Sequence, residues 1–359
     1  MLVNNKHLTT IWYDLKKDKV NIIDQRLLPF EVKIVQLTTF EEVCFAIKEM
    51  QVRGAPLIGV TAAYGMYIAS KNKKDFIEMK NAAYQLKLTR PTAVNLAWAV
   101  DKIIDEIKEI NSIDYKDKIL KIANQIREQD IINCKTIGVN GSQLIEKIFK
   151  KTQKTVNILT HCNAGWLAAV DWGTALAPIF IANQKKIPIH VWVDETRPRN
   201  QGFSLTAWEL LNEKIDNSLI VDNVGGHLMQ NGMIDLCITG TDRTSLNGDV
   251  CNKIGTYLKA LAAHDNNIPF YVSAPISSID FNIENGIKEI PIEEREPTEV
   301  STIEGLDSNN KRIKIKIVPE GAKCKNFAFD ITPAKYITKL ITEKGIIDSN
   351  KISISNLNN

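Results

Sequence analysis

None of the six cysteines, Cys44, Cys134, Cys162, Cys237, Cys251 and Cys324, belongs to a CxxC pair. That absence removes the common zinc and dithiol spacings, and a chain of 359 residues needs no disulfide framework to hold a core. No run of about 18 apolar residues occurs, so no membrane span is expected. The first residues, MLVNNKHLTTIWYDLKKDK, lack the long apolar core of a secretory signal, and a cytoplasmic location is expected. Neither sign of charge dominates: Lys+Arg 45 stand against Asp+Glu 42, a net +3. No nucleic-acid partner is expected from that balance. The nearest thing to a basic block, Lys311-Arg312-Ile313-Lys314-Ile315-Lys316, alternates and reads as one wet face of a strand. No GxGxxG or Walker loop is present, so nucleotide binding has no support, and neither cofactor nor metal is expected.

What is present is a globular composition, 44% hydrophobic and 24% charged, enough for a large core. Residues 8 to 37 alternate polar and apolar, as in Val20-Asn21-Ile22-Ile23, which suggests a small antiparallel sheet. From Thr39 to about Lys150 the period becomes helical, opened by the capping pattern Thr39-Phe40-Glu41-Glu42. Two loops interrupt it, Gln51–Pro56 and Thr89–Thr92. Short apolar runs then recur at Val156–Leu159, Ile189–Val193, Ser218–Val221, Leu236–Thr239 and Phe270–Val272. Helical stretches such as Leu205–Leu211 and Lys253–His264 lie between them. This alternation argues an α/β chain. We expect a small N-terminal domain of antiparallel β plus helices, residues 1–130, and a Rossmann-like domain with a mainly parallel sheet, residues 131–359. The tail Lys351–Asn359, KISISNLNN, is expected to fray.

In open α/β sheets, ligands bind beyond the carboxyl ends of the strands. Cys162 follows the first run, Asp194-Glu195 the second, Asp222-Asn223 the third and Asp242 the fourth. Cys162 is followed by Asn163-Ala164-Gly165, small residues that let a ligand approach the backbone. Its thiol suits proton transfer or nucleophilic attack, and equally a buried structural role. His161 is its neighbour on a strand and points to the other face, which counts against a Cys–His hydrolase dyad. Asp242 beside Arg243 is a general acid/base or a surface pair. Lys253, near an expected helix start, is a phosphate ligand or an exposed lysine. Arginines recur in three loops, at Arg53, at Arg90 and at Arg197 with Arg199, which suggests a small anion held between the two domains.

These segments carry a family likeness. RGAPLIGVTAAYG from Arg53, TRPTAVNLAWAV from Thr89, LTHCNAG from Leu159 and DETRPRNQGFSLTAWEL from Asp194 resemble the 5-methylthioribose-1-phosphate isomerases, aldose–ketose isomerases of methionine salvage. NGDVCNKIGTY from Asn247, IPIEER from Ile290 and FDITPAKYIT from Phe329 extend the likeness over most of the chain. The wider superfamily includes non-catalytic regulatory subunits of a eukaryotic translation initiation exchange factor. The resemblance implies that Cys162 and Asp242 are the catalytic pair. It implies that Arg53, Gly54, Ala55, Arg90, Gln201, Asn252 and Lys253 bind a sugar phosphate, in a homodimer without metal or cofactor. The chain departs from the family's GADRI-like stretch at Gly240-Thr241-Asp242-Arg243-Thr244, which bears on specificity around the sugar. A related sugar 1-phosphate, such as 5-deoxyribose 1-phosphate or ribose 1,5-bisphosphate, stays open as substrate. A regulatory subunit is the further alternative, and the retained Cys162 and Asp242 argue against it.

Overall fold

The computed structural model describes residues 1–3, 5–72, 75–90 and 94–358, with Ile113 described through its backbone alone. The expected loop at Thr89–Thr92 therefore lies partly outside the described residues. Three antiparallel strands, Ile11–Asp14, Lys19–Ile23 and Ile34–Leu37, form the N-terminal sheet in chain order. Ile11, Val20 and Ile22 point inward and are fully buried. Five helices follow: α1 (Phe40–Lys48), α2 (Ala55–Ser70), α3 (Phe76–Thr89), α4 (Val94–Ile107) and α5 (Tyr115–Thr152). The Thr39–Glu42 capping box opens α1 as its sequence indicates. Every residue of α2 is buried, as an all-round apolar helix must be. Glycines on α2 admit close neighbours: a Cβ on Gly59 would lie 2.9 Å from the Asn95 carbonyl oxygen of α4.

At 38 residues, α5 spans about 57 Å. Its first half sends Ile119, Ile122 and Ile126 into the N-terminal core. Its second half sends Ile145 into the core of the large sheet. The position between residues 130 and 131 thus falls inside one continuous helix.

The large sheet has seven strands, in the spatial order Gly345–Ile347, Lys339–Thr342, Phe270–Ser273, Leu236–Thr239, Val156–Thr160, Ile189–Asp194, Asn217–Ile220. All pairings are parallel except that of the Gly345–Ile347 edge. Each of the five apolar runs in the sequence is one of these strands.

Three expectations need correction. The stretch Lys253–His264 is not one helix: Lys253 ends a strand, Val250–Lys253, and the helix is Thr256–Asp265. The strand belongs to a second, four-stranded sheet with Ile279–Asp280, Arg243–Ser245 and Phe329–Thr332. The Asn247-Gly248 pair turns the hairpin, with Gly248 at φ +91°, and Gly255 at φ +102° separates strand from helix. Second, the basic strand Arg312–Lys316 pairs, among the described residues, with Thr302–Leu306 alone and is exposed on both faces. Third, the tail is ordered as a helix, Lys351–Ser355, capped by Asn350 and anchored by buried Ile354 and Leu357. Two apolar residues three apart suffice for one buried turn, and the polar residues around them disguise it. Among the described residues, no helix is long and apolar enough to cross a membrane.

Ile354→Ala is expected to lower stability by about 2–5 kcal/mol in urea unfolding, the usual result of emptying a packed site. Ile352→Ala, at 78% exposure, should cost under about 0.5 kcal/mol. Equal small effects would mean that the tail is not packed.

Candidate active site

Counted in chain order, the six parallel strands lie 3-2-1-4-5-6, so the order reverses between Val156–Thr160 and Leu236–Thr239. A crevice opens at such a reversal, outside the carboxyl ends. Cys162 and Asp242 stand just past those two strands. Cys162 adopts φ +63°, a conformation uncommon for a non-glycine residue and held here by tertiary bonds. Its N–H donates to Thr196 Oγ1 at 2.8 Å, and its carbonyl accepts from Thr206 Oγ1 at 2.7 Å. Its Sγ lies 3.6 Å from Gln201 Oε1. His161 turns away, with Nδ1 2.8 Å from Asp194 Oδ2 and Nε2 2.8 Å from the Ile254 carbonyl.

The ionisable groups of the site act on one another. Removal from water raises the Asp242 carboxyl above its ordinary value; Lys253, Arg53 and Arg90 pull it back, and Glu293 pushes it up. Removal from water likewise raises the Cys162 thiol, opposed by Arg53 and Lys253 and reinforced by Asp242. The same cause lowers Lys253, against the pull of Cys162 and Asp242. Arg90 is lowered by burial too, although Glu293 supports its charge. Cys162, Asp242, Lys253 and Arg53 thus act on one another, and Arg90 acts on Asp242 and Arg53.

Gly54, Ala55, Arg90, Asp242, Cys251 and Phe329 help to line a narrow cavity of about 40 Å³. Arg53 and Gln201 line a neighbouring, wider crevice of about 550 Å³, with Leu28, Phe203 and Arg312 on its walls. The Arg53-Gly54-Ala55 segment therefore stands between the two spaces. Gly54 has φ +89°, and a Cβ there would come within 2.4 Å of the Ala168 carbonyl oxygen, so only glycine fits. Nε and Nη1 of Arg90 are buried and have no partner among the described residues, while Nη2 is 3.9 Å from Glu293. Buried donors of this kind are costly until an acceptor reaches them. Lys253 Nζ sits 4.9 Å from the centre of the Phe329 ring. Asn252 Nδ2 donates to Thr256 Oγ1 at 3.0 Å.

Of the third arginine loop, Arg199 lines the wider crevice with Arg53 and Gln201, and Arg197 does not. Arg197 binds the Pro198 and Val300 carbonyls at 2.6 and 2.8 Å, and Arg199 pairs with Glu299 at 2.8 Å. Asp194 and Asp222 also have structural partners. Asp222 accepts the N–H groups of Thr196 and Arg197, both at 2.8 Å, and Asp194 is 3.3 Å from Lys259 Nζ. His161, Asp194 and Asp222 offer ligand atoms within 4.8 Å of one another, a grouping that could hold a cation. The Lys259 ammonium already stands against it, so the chain supplies its own positive charge there.

Sequence reasoning assigned no role to Asn163, Thr196, Glu209, Glu293 or Arg295. Arg295 is fixed by Glu293 and Glu299, each at 2.9 Å, and so holds the acid beside Arg90. Asn163 accepts from Arg53 through both its side-chain and its main-chain oxygen. All five residues fall inside the segments that carry the family likeness, yet nothing in spacing alone separates a buried acid from an exposed one.

The chain belongs to the initiation factor 2 subunit family, whose pattern matches residues 51–349. The chain is 50% identical over 359 residues to the methylthioribose-1-phosphate isomerase of Escherichia coli, covering 99% of this chain and 96% of that one. It is 53% identical over 342 residues to the enzyme of that name from Desulfosudis oleivorans, covering 94% and 93%. The 5-methylthioribose 1-phosphate isomerase of Pyrococcus horikoshii superposes with a TM-score of 0.83 at 38% identity, over 98% of this chain and 96% of that one. The translation initiation factor eIF-2B subunit delta of A. fulgidus superposes with a TM-score of 0.79 at 35% identity, over 98% and 99%.

The raised Asp242 carboxyl bears on stability. Its folded-state value lies above its unfolded one, so the native state binds the proton more tightly. Stability should fall as pH rises through that interval and stay lower above it. Asp242→Asn should therefore raise Tm at neutral pH, and the gain should vanish below the ordinary carboxylate range. A Tm that falls at neutral pH would contradict the sign.

Proposed function

We propose that this chain isomerises 5-methylthioribose 1-phosphate, an aldose, to the ketose 5-methylthioribulose 1-phosphate in methionine salvage. The observation that carries the reading is a thiol and a carboxylate past the two strands flanking the sheet's reversal, within reach of Arg53, Arg90 and Lys253. The anomeric oxygen of such a sugar carries phosphate, so no free aldehyde forms while the phosphate stays. The ring opens instead: the bond from C1 to the ring oxygen breaks, and the ring oxygen takes a proton. Hydrogen then passes from C2 to C1 while the 2-hydroxyl loses its proton, giving the ketone. One proton is delivered and one removed, work for two groups of adjustable acidity.

Asp242 exchanges a proton with the ring oxygen or the 2-hydroxyl, and Cys162 is the second acid/base beside C1 and C2. The raised thiol favours a protonated Cys162 at neutral pH. Arg53, Arg90, Gln201, Asn252 and Lys253 bind the sugar phosphate, with the Gly54 and Ala55 backbone close to it. The unpartnered donors of Arg90 support its assignment to the phosphate. Residues 1–130 and 131–359 act as two domains that grip the substrate between them, in a cytoplasmic homodimer.

Purified protein should turn over the 5-methylthio substrate faster than 5-deoxyribose 1-phosphate or ribose 1,5-bisphosphate. Cys162→Ser and Asp242→Asn should each abolish most turnover while circular dichroism stays native. Turnover of no sugar phosphate by folded protein would favour the regulatory reading instead. Arg90→Ala should raise KM about ten- to a thousandfold, at about 1.4 kcal/mol per decade. A near-native KM would remove Arg90 from the phosphate site.

A further inference from the structure

Behind the site lies a carboxylate the reaction does not use. Glu209 has no exposed surface, yet it belongs to a residue type almost never fully buried without partners. Its partners are complete. Oε1 accepts from Asn163 Nδ2 at 2.8 Å and from the Leu167 N–H at 3.2 Å, and Oε2 accepts from the Trp166 N–H at 2.9 Å. Gly165 leaves the space: a Cβ there would lie 1.8 Å from Glu209 Oε2.

The Asn163 amide stands between two groups of opposite kind. Arg53, a donor without acceptor capacity, gives Nη1–H to Asn163 Oδ1 and Nη2–H to the Asn163 carbonyl. Burial raises the Glu209 carboxyl to about 7, against the pull of Asn163, the Leu167 and Trp166 N–H groups and Arg53. The three donors it meets all call on it to accept. It takes the Asn163 N–H, while Thr206 Oγ1 lies 3.1 Å from the same nitrogen. Turning the amide over would set NH2 against a guanidinium and an oxygen against a carboxylate. We propose that Glu209 is a positioning residue: through Asn163 it fixes the orientation of the Arg53 guanidinium toward the substrate phosphate. The inference rests on Arg53 binding substrate, as above.

Glu209→Gln keeps the shape but loses acceptors: whichever way the introduced amide lies, its NH2 meets a donor, either the Asn163 amide and the Leu167 N–H or the Trp166 N–H. Asn163→Asp keeps an acceptor for Arg53 but opposes two carboxylates. Combined, the two changes reverse the polarity of the central contact, the introduced glutamine amide donating to the introduced aspartate, which still accepts from Arg53, while the Leu167 N–H and Thr206 Oγ1 are left facing the exchanged groups. Steady-state kinetics of the wild type, both single variants, the double variant and Arg53→Ala make the test, with inorganic phosphate as competing ligand. Each single variant should raise KM and the phosphate inhibition constant about tenfold or more, with kcat changed less. The double variant should bind better than the product of the two single effects, by about threefold or more, a coupling expected of contacting pairs. A Glu209→Gln KM within about twofold of wild type, or a double variant as poor as the product of the singles, overturns the relay. Where one single variant folds badly, the phosphate inhibition constant of the other decides, and a value within about twofold of wild type overturns the relay. If Arg53→Ala binds substrate normally, it is the Arg53 assignment that fails.

Discussion

Charge removed from water at the end of a sheet is the constraint on which this molecule turns. Desolvation outweighs the combined pull of Lys253, Arg53 and Arg90 on Asp242, and it raises Cys162 as well. Neither group would be adjustable on an open surface, where water would hold both near their ordinary values. The fold therefore has to enclose them, and the enclosure comes from both halves of the chain. Gly54, Ala55 and Arg90 arrive around Asp242 from the helical half, and Cys251 and Phe329 from the sheets.

The rest of the architecture serves that enclosure. Helix α5 runs through both cores, so the two halves share one rigid member. The acids Asp194 and Asp222 are committed to holding the 194–197 segment and His161, which lets Thr196 meet the Cys162 N–H. A strained backbone at Cys162 is sustained because Thr196, Thr206 and Gln201 surround it. Stability lost at the site is offset in apolar cores such as α2, as expected where function and packing compete.

Much of this was legible in the sequence. Five of the six parallel strands announce themselves as apolar runs, because strands covered on both faces have no polar face to show, while the sixth, Lys339–Thr342, went unread. The capping box of α1 is local chemistry and survives folding unchanged. Cys162 and Asp242 were placed by topology, since a position just past a strand is a position in space. Lys253 was harder. Its strand is short, ends next to a helix and belongs to a sheet assembled from segments up to 86 residues apart, as Arg243 to Phe329. The roles of Asn163 and Glu209 depend on contact across 46 residues, which no local pattern encodes. Ile354 was hidden for the opposite reason: a single buried turn is too short to have a period.

A crystal structure with the ketose 1-phosphate bound tests the central claim most directly. The account predicts the phosphate within hydrogen-bond distance of Arg53 or Arg90, and C1 and C2 between Cys162 Sγ and the Asp242 carboxyl group. A sugar lying wholly in the wider crevice by Arg312, with C1 and C2 beyond reach of both Cys162 and Asp242, would contradict it.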